Sequence, residues 1–110
     1  MSPKHFFVYI MSSFSGALYV GVTSNLLQRV HRHKKRFFKG HTSRYNITRL
    51  VYWEPAPTAM SAINREKQIK AWSRVKKVRL IERKNRDWAD LAEDWFGKSR
   101  RRLTTYPFPD

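Results

Sequence analysis

The chain contains no cysteine. Disulfide staples, thiolate zinc sites and cysteine nucleophiles are therefore excluded, and a reducing compartment is compatible. No apolar run approaches the about 20 residues that cross a bilayer, and the N-terminal stretch lacks the apolar core of a secretory signal. Acids are also scarce. Eight Asp and Glu stand against 23 Lys and Arg, a formal charge of +15 in 110 residues, and the first carboxylate in the chain is Glu54. These shortages lead us to expect a soluble, cytoplasmic protein with no membrane partner and no obligate protein partner, drawn to a polyanion.

Hydrophobic residues make up 41% of the chain and aromatics 15%, enough for one compact core. The core is expected over residues 1–96. From Gly97 the chain turns basic and proline-containing without periodicity, so 97–110 is expected to be a flexible tail. The uncompensated cations gather in one segment: Arg29, Arg32, Lys34, Lys35, Arg36, Lys39, Arg44 and Arg49 follow one another with no acid between them. Phosphate is expected to dock there, on Arg32, Lys34, Lys35, Arg36, Lys39 and Arg44. Anionic lipid would suit the same total charge, but this basic segment offers no bulky apolar face beyond what a core requires.

Phe6 to Met11 and Ala17 to Val22 are rich in Val, Ile, Tyr and Phe and are separated by Ser and Gly, which predicts an antiparallel hairpin. A hairpin centred on that loop puts Tyr9 opposite Tyr19 on one face. Ser24 or Asn25 caps a helix carrying Leu26, Val30, His33 and Phe37, expected to run to about Phe38. After the basic loop "KGHTSRYN", the run "ITRLVYW" reads as a third strand that the prolines of "EPAP" terminate. Thr58 caps a second helix with Ala59, Ala62, Ile69 and Trp72 inward, and a bend near Ser73 leads to a third with Val75, Val78 and Ile81 inward. Asp87 is expected to cap a last helix in which Trp88, Leu91, Ala92, Trp95 and Phe96 pack as core.

Glu66 interrupts the inward stripe of the second helix. A buried carboxylate needs compensation, either by an ion pair or by a hard divalent cation, and magnesium needs only one or two carboxylates beside waters and phosphate oxygens. Arg29 and His33, four apart, share a helix face. His33 lies between apolar Val30 and Phe37, where a lone histidine is more often a satisfied core residue than a catalyst. Tyr9 and Tyr19, taken alone, read as ordinary strand packing with hydroxyls reaching solvent, and only the other motifs favour chemistry. Gly21 suits either a bulge or a close approach of backbone to phosphate.

Together "VYI" at Val8 to Ile10, "YVG" at Tyr19 to Gly21, "RVHRH" at Arg29 to His33 and "REKQIK" at Arg65 to Lys70 resemble the ordered motifs of the GIY-YIG nucleases. The likeness is to the small stand-alone bacterial type and covers about Phe6 to Leu91. It implies an α+β fold, a three-stranded antiparallel sheet flanked by helices, and hydrolysis of DNA phosphodiester bonds with one bound magnesium or manganese ion. By the same resemblance Tyr9 and Tyr19 position or deprotonate water, with nearby cations lowering the phenol. Arg29 meets the scissile phosphate, Glu66 holds the metal, and His33 falls where relatives have His or Tyr. Phe7, Val20 and Val22 depart from the motif, and Asn85 is the nearest counterpart of a late asparagine. Substrate choice is expected to follow DNA structure more than sequence, with RNA as an open alternative. The rival reading is a non-catalytic, basic nucleic-acid-binding module on the same fold.

Overall fold

The computed structural model describes residues 5–35 and 46–96. Strands β1 (Phe6–Ser12) and β2 (Leu18–Thr23) form the expected hairpin. Its turn is closed by Ser13, whose N–H donates to Ala17 O at 3.0 Å and whose Oγ accepts from Ala17 N–H at 3.0 Å. Gly16 completes it with φ of 97°, a left-handed conformation suited to glycine. This closure centres the turn one residue later than expected. Tyr9 consequently stands opposite Gly21, and Tyr19 opposite Met11. The shift equals the side-chain period of a strand, so both tyrosines keep the same face.

Strand β3 (Arg49–Ala56) pairs antiparallel with the other side of β1, giving the order β2-β1-β3. Ile10 faces Tyr52 and Met11 faces Leu50, so Val51 is the extra residue of a bulge. The strand runs through Pro55 and ends at Ala56, before Pro57, within the prolines expected to terminate it. β3 is an edge strand, where a residue without an N–H costs no ladder bond.

Each sheet face carries its own apolar cluster. On one, Val8, Ile10, Val20 and Val51 pack with Ala62 and Ile69 of α2 (Ala59–Ala71) and with Leu80 and Ile81 of α3 (Arg74–Lys84). On the other, Tyr9, Met11 and Leu50 pack with Leu26 and Val30 of α1 (Leu26–Lys34), Ile47 and Ala92. The fold is thus the α+β arrangement expected, a three-stranded antiparallel sheet flanked by helices. Asn25, Thr58 and Ser73 cap the three helices through side-chain oxygens. The stripes hold only in part: Ala59 is exposed, Val75 is 58% exposed in the first turn of α3, and Leu80 is buried in its place. Phe37, Phe38, the loop 39–45 and the tail from Gly97 lie outside the described residues.

The last helix is absent from 87–96: a turn at 86–87 and turns over 91–96 flank irregular chain at 88–90. Asn85 is the reason. Its amide donates to Val51 O at 3.0 Å and to Ala89 O at 2.8 Å, and its oxygen accepts from Ala89 N–H at 2.9 Å. Trp88 between them takes φ of 56°, which a right-handed helix cannot contain. The chain then runs along β3: Leu91 N–H donates to Leu50 O at 2.8 Å, and Asp90 Oδ1 accepts from Leu50 and Ala92 N–H groups at 3.1 and 3.0 Å.

Candidate active site

The α1 face of the sheet gathers four of the five residues expected to carry chemistry. Tyr9, on the central strand, is fully buried, and its phenol lies across Gly21 of β2. A Cβ at Gly21 would come within 2.5 Å of the Tyr9 hydroxyl. Gly21 is therefore neither a bulge nor an open approach to phosphate; it is the space the phenol occupies. The Tyr9 hydroxyl is 3.1 Å from His33 Nε2 on α1, and this buried hydrogen bond joins sheet to helix. Tyr19, half-buried on β2, places its ring 6.2 Å from that of Tyr9 and 5.0 Å from that of His33. Arg29 stands one turn before His33, and its charge acts on both His33 and Tyr9.

The electrostatics reverse one expectation. Nearby cations were expected to lower the Tyr9 phenol, yet it is held well above the ordinary tyrosine range. Burial is the main cause and the adjacent Tyr19 adds to it, while Arg29 opposes with less effect. His33 is pushed down to about 4, first by burial and then by Arg29. At neutral pH the two groups are both uncharged. Either the phenol O–H donates to Nε2 or Nε2–H donates to the phenol oxygen, according to the tautomer. Tyr9 is accordingly no ready phenolate, and its hydroxyl is hydrogen-bonded to a neutral imidazole.

Glu66 is on α2, which belongs to the opposite cluster and lies against β1 and β2. Its Oε2 is 2.9 Å from Lys70 Nζ, one helical turn on; the two side chains are 19% and 53% exposed. The compensation that its position demanded is thus an ion pair within its own helix. Among the described residues no group of three His, Cys, Asp or Glu gathers as a metal cluster.

The basic segment divides. Arg32 and Lys35 are exposed on and just after α1. Lys34 is not a free cation: Nζ pairs with the Asp90 carboxylate and donates to Thr48 O at 3.0 Å, tethering α1 to the turns after α3. Arg36, Lys39 and Arg44 lie outside the described residues. Asn85 spends its amide on backbone and serves the fold. Two roles escaped sequence reasoning. The Asp90 tether left no local trace, whereas the Gly21 gap was open to discovery as a strand glycine across from an aromatic.

The family model for the GIY-YIG catalytic domain matches residues 5–79, the span that carries Tyr9, Tyr19, Arg29, His33 and Glu66. UPF0213 proteins of Staphylococcus aureus, in strains Mu3 and N315, are each 37% identical to this chain over 75 residues, which cover 68% of this chain and 92% of theirs. The solution NMR structure of a UPF0213 protein from Bacillus halodurans is similar with a TM-score of 0.52 and 25% identity, covering 82% of this chain and 97% of that one.

Proposed function

The chain belongs to the GIY-YIG nuclease family, and from that premise we propose that it is a divalent-metal-dependent endonuclease hydrolysing DNA phosphodiester bonds, guided by DNA structure more than by sequence. The observation that carries the reading is the buried Tyr9–His33 hydrogen bond with Tyr19 and Arg29 beside it. Hydrolysis needs a water in line with the scissile bond, an acceptor for its proton and positive charge for the phosphorane. Tyr19, half-buried, and Tyr9 hold the water by their phenol oxygens. A water proton moves to the Tyr9 oxygen as the phenol's own proton moves to Nε2. The new P–O bond forms, the bond to the leaving sugar oxygen breaks, and His33 ends protonated. Burial first and Arg29 second disfavour that imidazolium; a phosphate docked on Arg29 brings the negative charge that offsets the second of these.

Glu66 fits a hard cation by donor chemistry, as a single carboxylate beside waters and phosphate oxygens. Lys70, half exposed on a flexible stem, is the cation it now holds, and it can swing clear. Magnesium or manganese held there would neutralise charge on the leaving oxygen. The position of α2 against β2, the edge strand that carries Tyr19, supports this role. Arg32 and Lys35 would grip the backbone, joined by Arg36, Lys39 and Arg44.

The Glu66–Lys70 pair itself favours the rival reading, since a non-catalytic DNA- or RNA-binding module needs no metal. A panel of labelled branched, single-stranded and duplex DNAs, incubated with magnesium, manganese or chelator, separates the two. The nuclease reading expects metal-dependent product with the wild type and none with Tyr9→Phe. Binding without cleavage of any substrate in either metal would install the binding module instead.

A further inference from the structure

The outer edge of β3 borders a cavity of about 310 Å³ that no step of the proposed chemistry uses. One wall is Trp53, 37% exposed and held edge-on by Phe7 at 5.8 Å between ring centroids. Leu91, 39% exposed, and Pro55 extend this apolar surface. The far side carries Lys84, whose Nζ lies 5.9 Å over the Tyr52 ring. Among the described residues no carboxylate lines the cavity, and Arg83 and Arg86 are exposed on either side of its Lys84–Asn85 rim. The floor is stiff, because Asn85 is tied to Val51 O at 3.0 Å and to Ala89 at both its amide and its oxygen.

We infer that this groove seats one unpaired nucleobase of single-stranded DNA, stacked on Trp53 with its phosphate at Lys84. A flat aromatic wall beside a lysine matches the two parts of a nucleotide, and stacking on an aromatic tolerates any base. The position adds a reason. Trp53 is the register partner of Tyr9 across β1 and β3, so its Cα lies only about 5 Å from that of the tyrosine. The Tyr9 phenol reaches the other way, over Gly21 of β2. A DNA strand running from that site across β1 and β3, roughly 10 Å, can lay a base a nucleotide or two from the cut in the groove. Paired bases in a duplex point inward and cannot enter. The inference rests on the nuclease reading and gives its structural guidance a cause: the site favours substrates with an unpaired nucleotide near the cut.

The test is anisotropy of a labelled single strand of about 12 nucleotides and of a blunt duplex of equal length, in chelator. Trp53→Ala should weaken single-strand binding about five- to 100-fold and leave duplex binding within about twofold, while Trp53→Phe keeps most of the single-strand affinity. Lys84→Gln should shift the single strand in the same direction. Unchanged single-strand binding in Trp53→Ala, or equal losses on both ligands, would overturn the inference. So would a concentration-dependent dimer of the free protein that Trp53→Ala dissolves, since a second copy would then occupy the groove. Should Trp53→Ala lose its cooperative melt, Lys84→Gln decides, together with tryptophan quenching by the single strand, which must shrink in Trp53→Phe. A wild type that binds neither ligand would defeat the nuclease reading as well; one that binds both, with variants unchanged, defeats the groove alone.

Discussion

At the scale of single residues, a phenol fills the place of a missing methyl. Gly21→Ala puts a carbon 2.5 Å from the Tyr9 hydroxyl, closer than packed atoms stand, and Tyr9 is buried with no free direction to move. We expect the Tyr9–His33 bond to break, stability to fall by about 1–3 kcal/mol, and single-turnover cleavage to fall about 100-fold, read by urea melts and product formation. A Gly21→Ala protein cleaving at the wild-type rate would show that the phenol takes no part. His33 gives a second prediction. Its cation is disfavoured in the folded state, with a pKa of about 4 against about 6.5 in the unfolded chain. Above about 6.5 both states hold it neutral and its contribution is complete. Between about 6.5 and 4 the unfolded state binds the proton first, so up to about 3 kcal/mol of stability drains away over that window. Urea unfolding at pH 5 and 7 should show a gap that His33→Gln narrows. The resemblance made Tyr9, Tyr19, Arg29 and His33 legible by type and order. The protonation of Tyr9 and His33 was not, because it depends on burial, and burial is set by Leu26 and Val30 of α1 and by Ile47, packed on the same face of the sheet.

At the scale of elements, strands and helices with their own caps could be read, and elements held from a distance could not. β1, β2 and α2 carry alternation, a Gly turn or a Thr58 cap within a few residues of where each begins. Trp88, Leu91, Ala92 and Trp95 have helical spacing too, yet Asn85 and Asp90 bind them to β3 instead. Periodicity yielded there to backbone hydrogen bonds made across forty residues of sequence. Asp90→Ala removes the acceptor of two N–H groups and the partner of Lys34, so it should cost about 2–4 kcal/mol. Lys34→Gln removes the charge pair, itself partly exposed, and the hydrogen bond to Thr48 O but leaves the backbone bonds of Asp90, and should cost about 1 kcal/mol. Chemical denaturation of both variants checks the order; equal destabilisation would mean that the ion pair, and not the backbone bonding, holds the segment.

At the scale of the whole molecule, a charge of +15 wrapped around a sheet with two covered faces describes a phosphate-binding body, and the charge was legible from composition alone. Which cations face DNA was not. Arg32→Gln with Lys35→Gln should weaken binding to every sequence and flatten the log–log salt slope by about 0.9 for each phosphate left without its cation. Lys34→Gln should leave that slope unchanged, because its ammonium is already spent on Asp90 and Thr48. The proposal above all these is that the phenols and imidazole on one sheet face and Glu66 of α2, the helix packed against the other, serve one reaction. Single-turnover cleavage by Glu66→Gln, with DNA binding measured in chelator, tests it most directly. Cleavage should fall about 100-fold or more in magnesium while binding is kept or strengthened, since a negative charge has left a phosphate-binding surface. Cleavage at the wild-type rate in Glu66→Gln would contradict it.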